Sequence, residues 1–156
     1  IEAWGGDHVR INNRFYKGGY SFRGFETAGI GPRDLNFASN GGQSDALGGK
    51  AYAIGSVELT VPTFLPEQYG IKAALFSDFG TLGVLDKFDK NRIDTTTGLP
   101  QADPNIKDDL GLRASAGLSV QWKSPMGPIR FDFSQILKKE TYDQTETFRF
   151  STSTRF

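Results

Sequence analysis

Arginine followed by glycine, in Phe22-Arg23-Gly24-Phe25, is the feature of this sequence with the clearest capacity for specific recognition. A guanidinium can fork onto a carboxylate, and glycine lets the backbone beside it come close to another segment. Glu58 and Asp78 are the candidate partners; local packing of an arginine between two phenylalanines accounts for the motif equally well. Bond-making chemistry has little to work with. There is no cysteine and a single histidine, His8, so a thiolate site, a zinc site and a histidine-based triad all lack their parts. Asp108 and Asp109 are adjacent, so their carboxylates point apart, and no nucleophile or orienting base stands near them. The run from Asp86 through Asp89 to Asp94 is spaced somewhat like a calcium loop but lacks the glycine and the terminal glutamate that such a loop needs. No catalytic residue, metal ligand or cofactor is expected, and the chain reads as a non-enzyme.

The elements that would carry Arg23 and its carboxylates show themselves by period-two alternation. In residues 110–123, Leu110, Leu112, Ala114, Ala116, Leu118, Val120 and Trp122 alternate with Gly111, Arg113, Ser115, Gly117, Ser119, Gln121 and Lys123. The same pattern marks strands near 49–62, 70–81, 128–137 and 146–156, and each has one face without charge. Runs of ten to fourteen residues are longer than the usual five or six of a soluble β-sandwich. They match what a tilted strand needs to cross a bilayer. On a lipid-facing position an Arg or Lys at the midplane costs roughly 2–4 kcal/mol, which explains the exclusion. Glu58 and Asp78 fall on the polar parity of their strands and so face a lumen. The pattern predicts an all-β, antiparallel transmembrane barrel wall.

Composition agrees with that class. Lys plus Arg (18) equals Asp plus Glu (18), so no global positive field points to nucleic acid. Phenylalanine (13) and glycine (19) are frequent while mean hydropathy is −0.40, so aromatics are spread among polar residues. No run approaches the ~18 apolar residues of a membrane-spanning helix. Connections alternate in length: 62–69 and 124–127 are short, 82–109 is long and polar, 138–146 is intermediate, and 5–48 is longest. In outer-membrane barrels short turns are periplasmic and long loops external. Residues 1–4 read as the tail of an earlier strand, and the alternation of Val9, Ile11 and Phe15 suggests a short strand within the long loop. With Ile1 in place of an initiator Met, the chain is expected to be part of a longer one.

Several motifs, in order along the chain, resemble the BamA family of outer-membrane protein assembly factors: residues 14–19, Arg23-Gly24-Phe25, Ile30-Gly31-Pro32, Asp78-Phe79-Gly80-Thr81, Ser115-Ala116-Gly117, Gln121-Trp122, residues 124–128, and Phe148-x-Phe150 leading to Phe156. The resemblance implies a barrel of about sixteen strands, with these as the last five plus the tail of a sixth. It implies that the 5–48 loop folds inward from outside and that Arg23 pairs with Glu58 and Asp78. It also implies that the 146–156 strand forms a seam with the barrel's first strand, and that Phe148, Phe150 and Phe156 carry the terminal β-signal. The implied partners are unfolded outer-membrane β-barrel proteins, accessory assembly lipoproteins and the lipid bilayer, in the bacterial outer membrane. Phe22 departs from the family's usual small aliphatic before Arg-Gly-Phe, and Ser153 stands where some members have a glycine that kinks the last strand. A two-partner secretion transporter of the same superfamily, or a passive porin, is the rival reading.

Overall fold

The computed structural model describes residues 9–62, 69–85, 90–93 and 97–152. In chain order its strands are β1 (Arg33–Asp34), β2 (Asp45–Ala46), β3 (Ala51–Val61), β4 (Ile71–Gly83), β5 (Asn91–Ile93), β6 (Pro100–Ala102), β7 (Ile106–Lys107), β8 (Arg113–Ser124), β9 (Gly127–Lys138) and β10 (Phe148–Thr152). The long ones form one antiparallel sheet in the order β10-β9-β8-β4-β3, a meander in which each strand pairs with its predecessor among the long strands. At about 3.3 Å per residue and a tilt of about 40°, the 13 residues of β4 rise roughly 33 Å, enough for a hydrocarbon band of about 25 Å.

Which face is covered decides what kind of sheet this is. The polar parity is the buried one: Asp78, Arg113, Ser115, Ser119, Asp132 and Ser134 are all hidden from solvent. The apolar parity is open, with Val57 61%, Leu59 65% and Phe150 52% exposed. A water-soluble sheet would bury those side chains; here only lipid can cover them. The lipid face is also interlocked across strands. Phe79 lies over Gly55, its register partner, where a Cβ would come within 2.5 Å of the ring. Phe133 and Phe148 pair with ring centroids 5.0 Å apart.

The long loop covers the polar face. Its apolar residues Phe22, Phe25 and Ile30 meet Leu82 of β4 in a small core, with Phe15, Ile54 and Ile136 packed around it. The loop holds little regular structure. Residues 9–15, expected to contain a short strand, instead form a 3-10 turn at Ile11–Asn13. The cause is Arg14, whose buried guanidinium donates to the carbonyls of Val9 (3.1 Å from Nε) and Leu47 (3.2 Å from Nη1) and folds the segment back on itself. Before β1 its extended pairing is by single bridges, Phe15 with Gly49, Lys17 with Ile30 and Phe25 with Thr145. β1 joins β2 and β7 in a small sheet that fastens this loop to the β4–β8 connection.

β8 begins at Arg113, so residues 110–112 stay out of the ladder. The carbonyls of Asp109 and Gly111 instead accept hydrogen bonds from Arg113 Nη1, at 3.3 and 2.9 Å. Asp108 is likewise occupied, its two oxygens accepting the backbone N–H groups of Val84 (2.8 Å) and Leu85 (2.9 Å). The expected strand tail at residues 1–4, together with His8, Asp86, Asp89, Asp94, Ser153 and Phe156, lies outside the described residues.

Candidate functional site

Arg23 sits where the loop crosses the sheet, and the turn that places it needs the residue that follows. Gly24 has φ +91°, and a Cβ there would meet Ile136 Cδ1 at 2.8 Å and Ser115 Cβ at 3.0 Å. Only glycine combines that conformation with so close an approach to β8 and β9. Phe22 and Phe25 point into the small core on either side, stacked with centroids 5.0 Å apart. The phenylalanines therefore hold the turn down while the arginine reaches along the wall.

Its guanidinium forks onto Asp78: Nε donates to Oδ2 at 2.8 Å and Nη2 to Oδ1 at 2.7 Å, while the Arg23 backbone N–H also donates to Oδ2 at 3.0 Å. Nη1 donates to Glu58 Oε2 at 2.7 Å and Nη2 to the Ser56 hydroxyl at 2.8 Å. The guanidinium carbon lies 3.7 Å from the centroid of the Phe76 ring. Ser56 donates to Asp78, and Ser115 of β8 donates to the Arg23 carbonyl. Burial disfavours the arginine's charge, but the hydrogen bonds to Asp78 and Glu58 outweigh it and hold its pKa above the ordinary value. The two carboxylates are not equivalent. Asp78 is 4% exposed and Glu58 40%, although both border a cavity of about 220 Å³ that Tyr20, Arg130 and Asp132 also line. The charge pair is thus a desolvated Arg23–Asp78 fork with a wetter third member.

The signature turn also touches the approach to the last strand. Phe25 bridges Thr145, the Glu146 N–H donates to the Gly24 carbonyl at 2.9 Å, and Glu26 and Gly29 exchange backbone hydrogen bonds with Gln144. Residues Arg23, Gly24 and Phe25 therefore connect the β3–β4 wall to the start of β10. Phe148 and Phe150 lie elsewhere, on the lipid face of β10 against Phe131 and Phe133. Among the described residues no group of three or more His, Cys, Asp or Glu could hold a metal ion.

A model of the Omp85 superfamily domain matches residues 1–156. The chain belongs to the Omp85 superfamily. Within it the similarity is to proteins named outer membrane protein assembly factor BamA. That of Neorickettsia risticii is 33% identical over 150 residues, covering 96% of this chain and 17% of the relative. That of Neisseria meningitidis is 33% identical over 152 residues, covering 91% of this chain and 18% of the relative. The crystal structure of BamA from Haemophilus ducreyi lacking POTRA domains 1-3 superposes with a TM-score of 0.72 at 29% identity, over 96% of this chain and 28% of that one. The chain thus spans under a fifth of the length of these curated relatives. It is a C-terminal portion of an Omp85 barrel, and its place is the bacterial outer membrane.

Several members of this Omp85 site carry no signal in the sequence. Ser56 and Ser115 lie on the polar parity, but nothing marks them among the other serines there. Phe76 breaks the alternation as an aromatic on the polar side of β4, which is a usable signal for something stacking upon it. A second buried ion pair, Arg113 with Asp143 at 2.9 Å, joins a strand to a connection, where no periodicity applies.

Proposed function

We propose that the barrel to which this wall belongs folds and inserts other β-barrel proteins into the outer membrane through a lateral seam beside β10. The observation that carries the reading is the place of β10 at the end of the sheet order β10-β9-β8-β4-β3, where closing a barrel requires one further pairing. Among the described residues β10 pairs with β9 from Phe148↔Phe133 to Thr152↔Ile129. Its other edge has no partner among the described residues. A strand at the joint of the wall is suited to exchanging one edge partner for another, and an incoming unfolded strand can bond to such an edge by β-augmentation.

In this reading the work is non-enzymatic. Backbone hydrogen bonds supplied at the edge lower the penalty for bringing unpaired N–H and C=O groups into hydrocarbon. Phe148 and Phe150 meet the lipid at the seam, and Phe156 ends the terminal β-signal. Unfolded outer-membrane β-barrel proteins are the clients, the bilayer is a participant, and accessory assembly lipoproteins are further partners. The loop packed against the polar face supports an assembly role over that of an open porin.

The test is a reversible tether in the full-length protein, reconstituted in liposomes with an unfolded barrel client. Cysteines at Thr152 and at the facing position of the first strand should abolish assisted insertion when oxidised and restore it on reduction. Undiminished insertion through a locked seam would sink the proposal, and steady ion conductance without insertion would favour the porin reading.

A further inference from the structure

The Arg113–Asp143 pair is more deeply buried than the Arg23 site, with both side chains 0% exposed. Nε donates to Asp143 Oδ2 at 2.9 Å and Nη2 to Oδ1 at 3.1 Å, a second fork. The rest of the guanidinium is spent on the frame around it. Nη1 donates to the Gly111 carbonyl at 2.9 Å, and Nη2 reaches the Tyr142 hydroxyl at 3.4 Å. On the acid's side, Asp143 Oδ2 also accepts the Glu140 N–H at 2.8 Å, closing the turn that leads into the last hairpin arm. Tyr142 is buried, and its hydroxyl accepts the Asp109 N–H at 3.2 Å as well as the Arg113 Nη2 bond; burial raises its pKa, so it stays neutral.

These contacts hold residues 140–143 against the outer end of β8. Immediately afterwards, residues 144–146 bond to the signature loop through Gln144, Thr145 and Glu146. Ser134 of β9 then accepts the chain, its N–H donating to the Thr147 carbonyl at 2.8 Å. The approach to β10 is therefore gripped twice before the strand begins, once by β8 and once by the loop. Among the described residues the strand itself pairs with β9 from Phe148↔Phe133 to Thr152↔Ile129.

We infer that Arg113 and Asp143 are positioning residues for β10: their fork sets where the closing strand starts and how steadily its outer edge is presented. The anchoring stands on geometry; its bearing on assembly rests on the function proposed above. A fork fixes direction as well as distance, which apolar packing does not.

The test uses the full-length protein with spin labels on Thr152→Cys and Val57→Cys, both on the lipid face, and measures the distance distribution across the sheet. In Asp143→Asn the distribution should broaden, and assisted insertion should slow by about tenfold or more, the factor matching loss of one buried charge-assisted hydrogen bond. A distribution as narrow as the parent's would overturn the inference. Should Asp143→Asn fail to fold, Arg113→Met combined with Asp143→Leu removes both charges and leaves none orphaned. That double variant should unfold at the parent's urea midpoint and still show the broad distribution. If it is narrow, the pair serves stability alone and the inference is wrong. Because the distances are read without client, a parent protein that accelerates no insertion would remove the proposed function while leaving this result decisive.

Discussion

Replacing Arg23 with alanine would strip Asp78 of its partner while leaving the carboxylate in place, almost wholly removed from water. The backbone N–H of residue 23 and the Ser56 hydroxyl would still reach it. The two side-chain bonds to Asp78 would go, each a hydrogen bond between charged groups of about 1.5–3 kcal/mol. The bond to Glu58 contributes at most about 1 kcal/mol, since that acid is wet. The lost stack over Phe76 adds about 1–2 kcal/mol. Relief of the arginine's own desolvation offsets part of this sum, so the net loss should fall near the 3–5 kcal/mol typical of breaking a buried pair from one side. At about 4 kcal/mol the folded population falls nearly a thousandfold relative to unfolded. The assay is urea unfolding of the full-length protein in liposomes, followed by heat-modifiable gel mobility, on Arg23→Ala, Asp78→Ala and the double variant. The cycle should return a coupling of about 3 kcal/mol or more. Exchanging the charges, Arg23→Asp with Asp78→Arg, should recover part of the loss. Additive single effects, or Glu58→Gln proving as harmful as Asp78→Asn, would refute the reasoning.

Gly24→Ala forces a β-carbon into Ile136 and Ser115 at positive φ, so it should destabilise by about 1–3 kcal/mol, read as a lowered urea midpoint. Leu118→Arg places a charge on the lipid face and should lose roughly 2–4 kcal/mol of stability in liposomes. Gln121→Arg on the polar parity of the same strand should lose far less, and equal losses would invert the assigned faces.

The sheet was legible because lipid enforces its rule without exception: a charge on one parity is excluded at every strand, so the faces can be read from alternation alone. The carboxylates near Arg23 could be named for the same reason, as acids stranded on the inner parity. Their inequality could not, since it depends on how closely the folded loop covers each acid, Asp78 taking the fork and the backbone N–H of Arg23 while Glu58 takes a single bond. Residues 9–15 mislead because alternation of side chains says nothing about Arg14 donating to its own neighbourhood's carbonyls. The start of β8 is shifted by a related effect, Arg113 taking the carbonyls that a ladder would use. Arg113 and Asp143 escape a sequence reading altogether: the contact joins a strand end to a connection 30 residues on, where neither period nor motif applies.

Chain order and contact order run against each other in this wall. The β8–β9 hairpin can zip from its own turn, Ser124 meeting Gly127 across two residues, with little chain entropy to overcome. The loop's contacts span far longer intervals, 55 residues from Arg23 to Asp78 and 92 to Ser115, and none can form until the strands that bear those partners are in place. Arg23 is synthesised before either partner and finds its seat after both. During folding the loop is thus a late-closing latch, and a barrel whose wall is complete but whose latch is open should be a kinetically distinct species, visible as a slow second phase that Arg23→Ala abolishes.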